Sequence, residues 1–318
     1  MTCNYKENWE QTVQNFVDWW NRDGLILDVG MVLRSAGLRE PLGNPGLTDS
    51  DEYRHEDVNW RVEKNHYKGA ETDPKNHTPF RFDVDSHWWK IHERLLELSM
   101  VRGREKYCVG CPDFVENIDI LSALRGPQDL LLDMIESPDW VNEKILEINS
   151  VWFEVYNRVY EIVKDEEGNA YYKSFNLWGA GKTAKVQCDA SSLFSPDMFE
   201  RFVLPALTEQ CNWLDYSMFH LDGHQCIPHH LDLLLSIEHL DAIEWTADPQ
   251  VPGGGSSRWY SMYRKILEAG KSVQAIEVQP GEVVPLLDAV GGKGMHIRTS
   301  VQLEREAELL NKSVEQFR

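Results

Sequence analysis

The sequence predicts an α/β protein, a TIM (β/α)8 barrel with extra helical structure at its N-terminus, on three observations. From Asp189 to the end the chain repeats strand, loop and helix at intervals of roughly 25 to 35 residues, the rhythm of a parallel sheet. Counting back, eight strands are available, near 25–32, 79–84, 106–111, 184–189, 217–221, 242–246, 272–277 and 294–299. The length of 318 residues suits one such barrel, and 42% hydrophobic residues supply its core. A doubly wound open sheet is the alternative, and no Gly-rich fingerprint follows the first strand to support it. The chain therefore reads as a single domain, residues 1–318.

The elements follow from local pattern. Trp9, Val13, Phe16, Val17 and Trp20 recur at helical spacing, and Asp23-Gly24 ends that helix before the apolar run that begins at Leu25. Residues 35–78 are rich in Gly, Pro, Asn and charge and read as a long excursion, so residues 1–78 form an irregular preface to the remaining strands and helices in 79–318. Phe80 to Asp85 alternates apolar and charged residues, which suits a short strand, and a helix follows to Val101. Tyr107 to Pro112 is the next strand and carries Cys108 and Cys111 as a C-x-x-C pair. Without a second pair or a following helix, these read as structural cysteines. Helices are expected over 118–124 and 127–135, then a long one from Trp140 to about Lys164. Tyr171 to Trp178 reads as an extra strand in a hairpin with 184–189. Gly181-Lys182-Thr183 resembles the end of a phosphate loop, but Asn176 stands where that loop needs glycine, so no nucleotide site is expected. Ser195 and Pro196 are placed to cap and open a helix.

Composition excludes several functions. A net charge of −20, with 52 acidic against 32 basic residues, argues against nucleic acid. No run approaches the roughly 18 apolar residues of a membrane span, and the first residues lack a signal-peptide core. Six scattered cysteines form no disulfide framework, which points to a cytoplasmic protein with reduced thiols.

The chemistry concentrates at the strand end His220-Leu221-Asp222-Gly223. Side chains two apart on a strand share a face, so His220 and Asp222 leave it side by side. His224, Cys226, His229 and His230 crowd the loop expected next, and His, Cys and Asp are the side chains of transition-metal sites. In a barrel the active site lies at the C-terminal ends of the strands, where Asp189, His220, Asp222, Trp245, Glu277, His296 and Arg298 stand. Trp178 and Trp245 would be flat apolar walls. Such a mouth suits a metal or a proton-transfer task.

Several stretches resemble one superfamily, that of uroporphyrinogen decarboxylase and the methylcobamide:coenzyme M methyltransferases. They are Asn117 to Gly126, Asp189, the Leu193-Phe194-Ser195-Pro196 to Leu204-Pro205 run, the His220-x-Asp222-Gly223 strand end, and the final strand and helix from Gly294 to Leu310. The resemblance implies a distorted TIM barrel. Its methyltransferase branch binds zinc through a His-x-Cys at the strand end that His220 matches and a Cys near the last strand. Here Asp222 replaces the first cysteine, and the last strand offers His296, Thr299 and Ser300. A His and carboxylate set is harder than a thiolate one and suits other divalent metals besides Zn2+. The Arg-Gln-Ala-Gly-Arg-Tyr signature of the decarboxylase branch is missing, and Arg34-Ser35-Ala36-Gly37-Leu38-Arg39 echoes it only in part.

The resemblance thus implies methyl transfer between a small methylated amine, thiol or aryl ether and cobalamin on a separate corrinoid protein. No Asp-x-His-x-x-Gly stretch that would ligate cobalt occurs in this chain. His220, Asp222, Glu277 and His296 are the expected metal ligands, Asp189 handles a proton or positions substrate, and Trp178, Trp245 and Arg298 contact substrate. A metal-independent decarboxylase or lyase using Asp189 and His220, and a non-catalytic barrel that binds a ligand or corrinoid protein, are the alternatives.

Overall fold

A computed structural model describes residues 14–31 except 15, 17 and 23, then 79–103, 108–172 and 174–318; the side chains of 26, 28–31, 87, 88, 174 and 224–229 lie outside the description. Of the first helix, the described residues from Gln14 to Trp20 are helical, while Trp9, Val13 and Val17 lie outside the described residues, as do 35–78.

Six strands form one parallel sheet. They are β1 (Leu25–Met31), β4 (Thr183–Gln187), β5 (Tyr216–Asp222), β6 (Ala242–Thr246), β7 (Ser272–Val278) and β8 (Met295–Val301). Their order is β1-β8-β7-β6-β5-β4, so the first strand lies beside the last. Each apolar run alternates between two faces. Val186, Phe219, Leu221, Ile243, Trp245, Val273, Ala275 and Ile297 form the buried packing of one parity. The other parity carries Met218 and Ala242 and then a polar row. Gln187, His220, Glu244, Gln274 and His296 stand in register across five neighbouring strands.

Between β1 and β4 the described residues show a connection that departs from the expected ring. Phe80 to Asp85 is not a strand. The Phe80 N–H donates to Glu147, Phe82 packs edge-on to Trp89 at 4.9 Å, and Asp83 closes a turn on the Asp85 N–H. The alternating phenylalanines thus anchor an irregular segment to helices. In the segment expected as a strand at 106–111, residues 106 and 107 lie outside the described residues, and Cys111 makes a single parallel bridge to Tyr172. Among the described residues the sheet is therefore six-stranded, and no ladder closes it.

The expected strand at 171–178 is two strands, β2 (Asn169–Tyr172) and β3 (Leu177–Ala180), paired antiparallel with each other and not with 184–189. The break falls at Phe175 and Asn176, both left-handed (φ 61° and 53°), a conformation that Asn tolerates and that costs a bulky residue such as Phe. The Gly181-Lys182 turn joins β3 to β4. Its Lys182 N–H bonds the Asp215 carboxylate at 2.8 Å, and the Lys182 ammonium sits 4.0 Å above the Trp213 ring.

Helices cover the sheet. The first are α1 (His87–Gly103), α2 (Asn117–Arg125), α3 (Pro127–Glu136) and α4 (Pro138–Val163). In α4, proline at the first position and Asp139 in the first turn favour the start. Val141, Ile145, Ile148, Trp152, Tyr156, Val159 and Val163 then recur at three and four residues, and all are buried. The next helices are α5 (Pro196–Phe202), α6 (Leu204–Trp213) and α7 (Gly223–Leu235). They are followed by α8 (Tyr260–Glu268), α9 (Val283–Val290) and α10 (Glu304–Ser313). Ser195 caps α5 as its sequence suggests, accepting from the Met198 N–H. Residues 224–230 are helical and not a loop, because α7 begins directly after β5 with Asp222 as its N-cap. Among the described residues no helix is long and apolar enough to cross a membrane.

Candidate active site

Where β4 and β5 end, a cleft of about 170 Å³ is lined by Cys188, Asp189, Ser192, Phe219, His220, Asp222, Gly223 and Asp248. The local chain explains the shape. β5 runs straight into α7 through Gly223, whose φ of +71° and close approach to the Asp248 carboxylate leave no room for a side chain. On the other wall, β4 ends at Gln187 and the 3-10 turn Asp189–Leu193 follows.

His220 is the chemical centre. Its Nδ1 is bonded to Glu244 Oε2, and Thr246 Oγ1 donates to the other Glu244 oxygen at 2.7 Å. Glu244 is fully buried, whereas the His220 side chain keeps 14% of its exposure. With Nδ1 engaged, the nitrogen left for a ligand is Nε2. Burial pulls the His220 pKa down, but the hydrogen bond and charge of Glu244 outweigh it, so the imidazole holds its proton above its ordinary range. Burial likewise pushes Glu244 up, against the lowering effect of His220.

Asp189 is raised too, chiefly by burial, with His220 and Lys185 acting in the opposite direction. Three carboxylates, those of Asp189, Asp222 and Asp248, line the cleft, and no Lys or Arg stands among its lining residues. Beneath it lies buried charge. Lys185 Nζ pairs with Asp113 at 2.7 Å and bonds Gln187 Oε1, and Gln187 Nε2 in turn donates to Asp189 at 3.2 Å. Phe175 packs against the His220 ring with centroids 4.8 Å apart, held in its strained conformation in part by Gln274, which donates to its carbonyl.

The structure brings together Asp189, His220 and Asp222 of the residues singled out in the sequence. It does not bring the other five. His296 is buried, bonded to Gln274 and edge-on to Trp19 and Phe16. It stands on β8, three strands along the sheet from His220, and does not line the cleft. Glu277 is exposed, in a left-handed conformation where the β7–β8 register shifts, and does not line the cleft. Among the described residues no three His, Cys, Asp or Glu side chains are placed to hold a metal ion, so the expected four-ligand set does not fit a metal centre. Trp245 falls on the opposite parity from His220 and packs against Trp259 at 4.8 Å. Trp178 belongs to the β2–β3 hairpin, where its carbonyl accepts from Trp20. Arg298 is half-buried on β8, outside the cleft lining.

His230 is buried with Nε2 on the Ser191 carbonyl, whereas the side chains of His224, Cys226 and His229 lie outside the described residues. Burial raises the Cys111 thiol well above its usual range, the reverse of what a reactive thiolate requires. The residues that sequence reasoning missed are Glu244, Asp248, Ser192, Lys185 and Asp119. Glu244 was within reach, because it is the neighbour of Trp245 with the parity that faces His220.

No family model matches the sequence, and no match is found among curated proteins. Among solved structures, the chain matches a methyltransferase from Methanosarcina mazei with a TM-score of 0.51 and 9% identity, over 77% of this chain and 69% of the other. The likeness is one of fold. It supports a methyltransferase-like α/β architecture, within which the chemistry is argued from the cleft itself.

Proposed function

We propose that this chain is a methyltransferase acting on a small methylated amine, a relative of the uroporphyrinogen decarboxylase and methylcobamide methyltransferase barrels in which proton handling by His220 takes the place of metal activation. The observation that carries this reading is the His220–Glu244 pair facing a small cleft walled by Asp189, Asp222 and Asp248. Three carboxylates with one imidazole and no Lys or Arg among the lining residues favour a cation or a polarised amine. The cleft volume lies below the range of roughly 300–1,000 Å³ typical of drug-sized ligands, which suits a molecule of a few heavy atoms.

In this scheme the amine enters beside the carboxylates as its free base, with the nitrogen lone pair toward His220. His220 gives its Nε2 proton to that nitrogen, the C–N bond breaks with its electron pair moving to nitrogen, and the methyl group passes to an acceptor. General-acid assistance of this kind contributes typically about 10²- to 10⁴-fold. The acceptor we propose is the corrinoid of a partner protein. A decarboxylase or lyase on a small acid is less well supported, because its substrate carboxylate would meet three aspartates and no Lys or Arg among the lining residues. Calorimetric titration with trimethylamine, tetramethylammonium and acetate tests the reading. The two nitrogen compounds are expected to bind, and more weakly in His220→Ala for trimethylamine; binding of acetate alone would transfer the case to the lyase.

A further inference from the structure

We infer that Asp119 is a positioning residue for this cleft: by accepting the two N–H groups that open the 189–193 turn, it fixes where Asp189 and Ser192 face the ligand. The turn begins at Cys188, whose side chain makes no capping bond, so its first amides lack a local acceptor. Asp119, in the first turn of α2 and seventy residues earlier, supplies one. Its Oδ2 accepts from the Asp189 N–H and its Oδ1 from the Ala190 N–H, both at 2.8 Å.

The far side of the turn is held as well. His230 Nε2 meets the Ser191 carbonyl at 3.0 Å while its ring stacks on Phe199 at 4.5 Å, and Ser191 Oγ donates back to the Cys188 carbonyl at 2.6 Å. With Ser191 turned inward by these bonds, Asp189 and Ser192 are the turn residues that line the cleft. A buried carboxylate accepting two backbone amides is a fixed, directional clamp, and a loop that carries ligand groups needs such support to hold its geometry.

The clamp responds to protonation, since a neutral carboxyl accepts less strongly. Asp119 is pushed up to about 7, first by burial and next by the Asp189 charge; the Ala190 and Asp189 N–H groups and Lys185 act against this. Glu116 and the Cys188 thiol are the other ionisable groups that feel its charge. The clamp is therefore tight above neutrality and loosens as pH falls through about 7.

The inference rests on reading this cleft as the ligand site, and its test separates the two. NMR on the full chain, wild type and Asp119→Asn, reads amide exchange at Asp189 and Ala190 against the β5 strand amides, with three-bond couplings for the side chains of Asp189 and Ser192. In the variant, exchange at those two amides is expected to rise roughly ten- to hundredfold with β5 unchanged. The couplings are expected to change from one rotamer to an average, a shift that loss of stability alone would not produce. Unchanged exchange, or faster exchange with unchanged couplings, overturns the proposal. Should the variant fail to fold, the wild type decides: at pH 8 the two amides must exchange well below their intrinsic rates, and exchange at the intrinsic rate overturns the clamp. Failure of the wild type to bind tetramethylammonium counts against the proposed substrate class alone.

Discussion

Glu244→Gln is expected to reduce turnover at pH 7 by about 10²- to 10⁴-fold, close to the effect of His220→Ala, without unfolding the protein. Glutamine keeps the size of the side chain and an acceptor for the Thr246 hydroxyl, but it removes the charge that holds the His220 proton. Burial and Lys185, now opposed by the weaker effect of Asp222, lower the imidazole pKa. Because the active form carries the proton, the alkaline limb of the pH–rate profile moves to lower pH in the variant. Activity is then partly recovered on acidification, which His220→Ala cannot show. A profile that keeps its midpoint would mean that Glu244 only packs beneath the ring. The conservative variant Glu244→Asp, which retains charge but shortens reach, falls between the two.

Lys185→Met is expected to destabilise the fold by about 3–5 kcal/mol at alkaline pH, the range for leaving a buried charge without its partner. Lys185 is 1% exposed on β4 and Glu116, 3.9 Å away, is 0% exposed, with no hydrogen bond to either carboxylate oxygen among the described residues. Burial holds the Glu116 pKa well above its ordinary value, and Lys185 is the charge that lowers it. The sign with pH follows. A carboxyl raised in the folded state stabilises fully below its unfolded pKa, and that contribution is lost as pH rises through the folded value. Without Lys185 the folded value climbs further, so the variant loses most at alkaline pH and recovers toward pH 5. Urea unfolding at pH 5.5 and pH 8.5 measures the difference, and an equal loss at both would show that the cost is packing and not charge.

The strands from 183 onward were legible because each is a short run, rich in apolar residues, set between helices at the repeat of a parallel sheet. Segment 79–84 misled for a related reason. Alternation of Phe80, Phe82 and Val84 satisfies a strand pattern, yet the rings can anchor a loop to helices with the same spacing, and nothing local distinguishes the two. The hairpin at 169–180 was hidden because its turn places Phe175 and Asn176 at positive φ without a glycine to announce it. Within the site, His220, Asp222 and Asp189 were legible as polar ends of apolar strands. Trp245, Glu277 and His296 stand at strand ends as well, but a strand end presents more than one face. Pleat parity, a β7 irregularity and a cap of aromatic rings over His296 decide which side chains reach the cleft. Asp119 acts across seventy residues and Lys185 through Gln187, so neither leaves a local signal.

Methyl transfer itself gives the most direct test. Purified protein is incubated with isotope-labelled mono-, di- or trimethylamine and reduced free cobalamin, and methylcobalamin is followed by its absorbance and label. The account predicts amine-dependent methylcobalamin from the wild type and loss of roughly two orders of magnitude or more in His220→Ala. Methylcobalamin formed equally well by that variant, or no transfer from any of the three amines while a small carboxylic acid loses CO2, would contradict it.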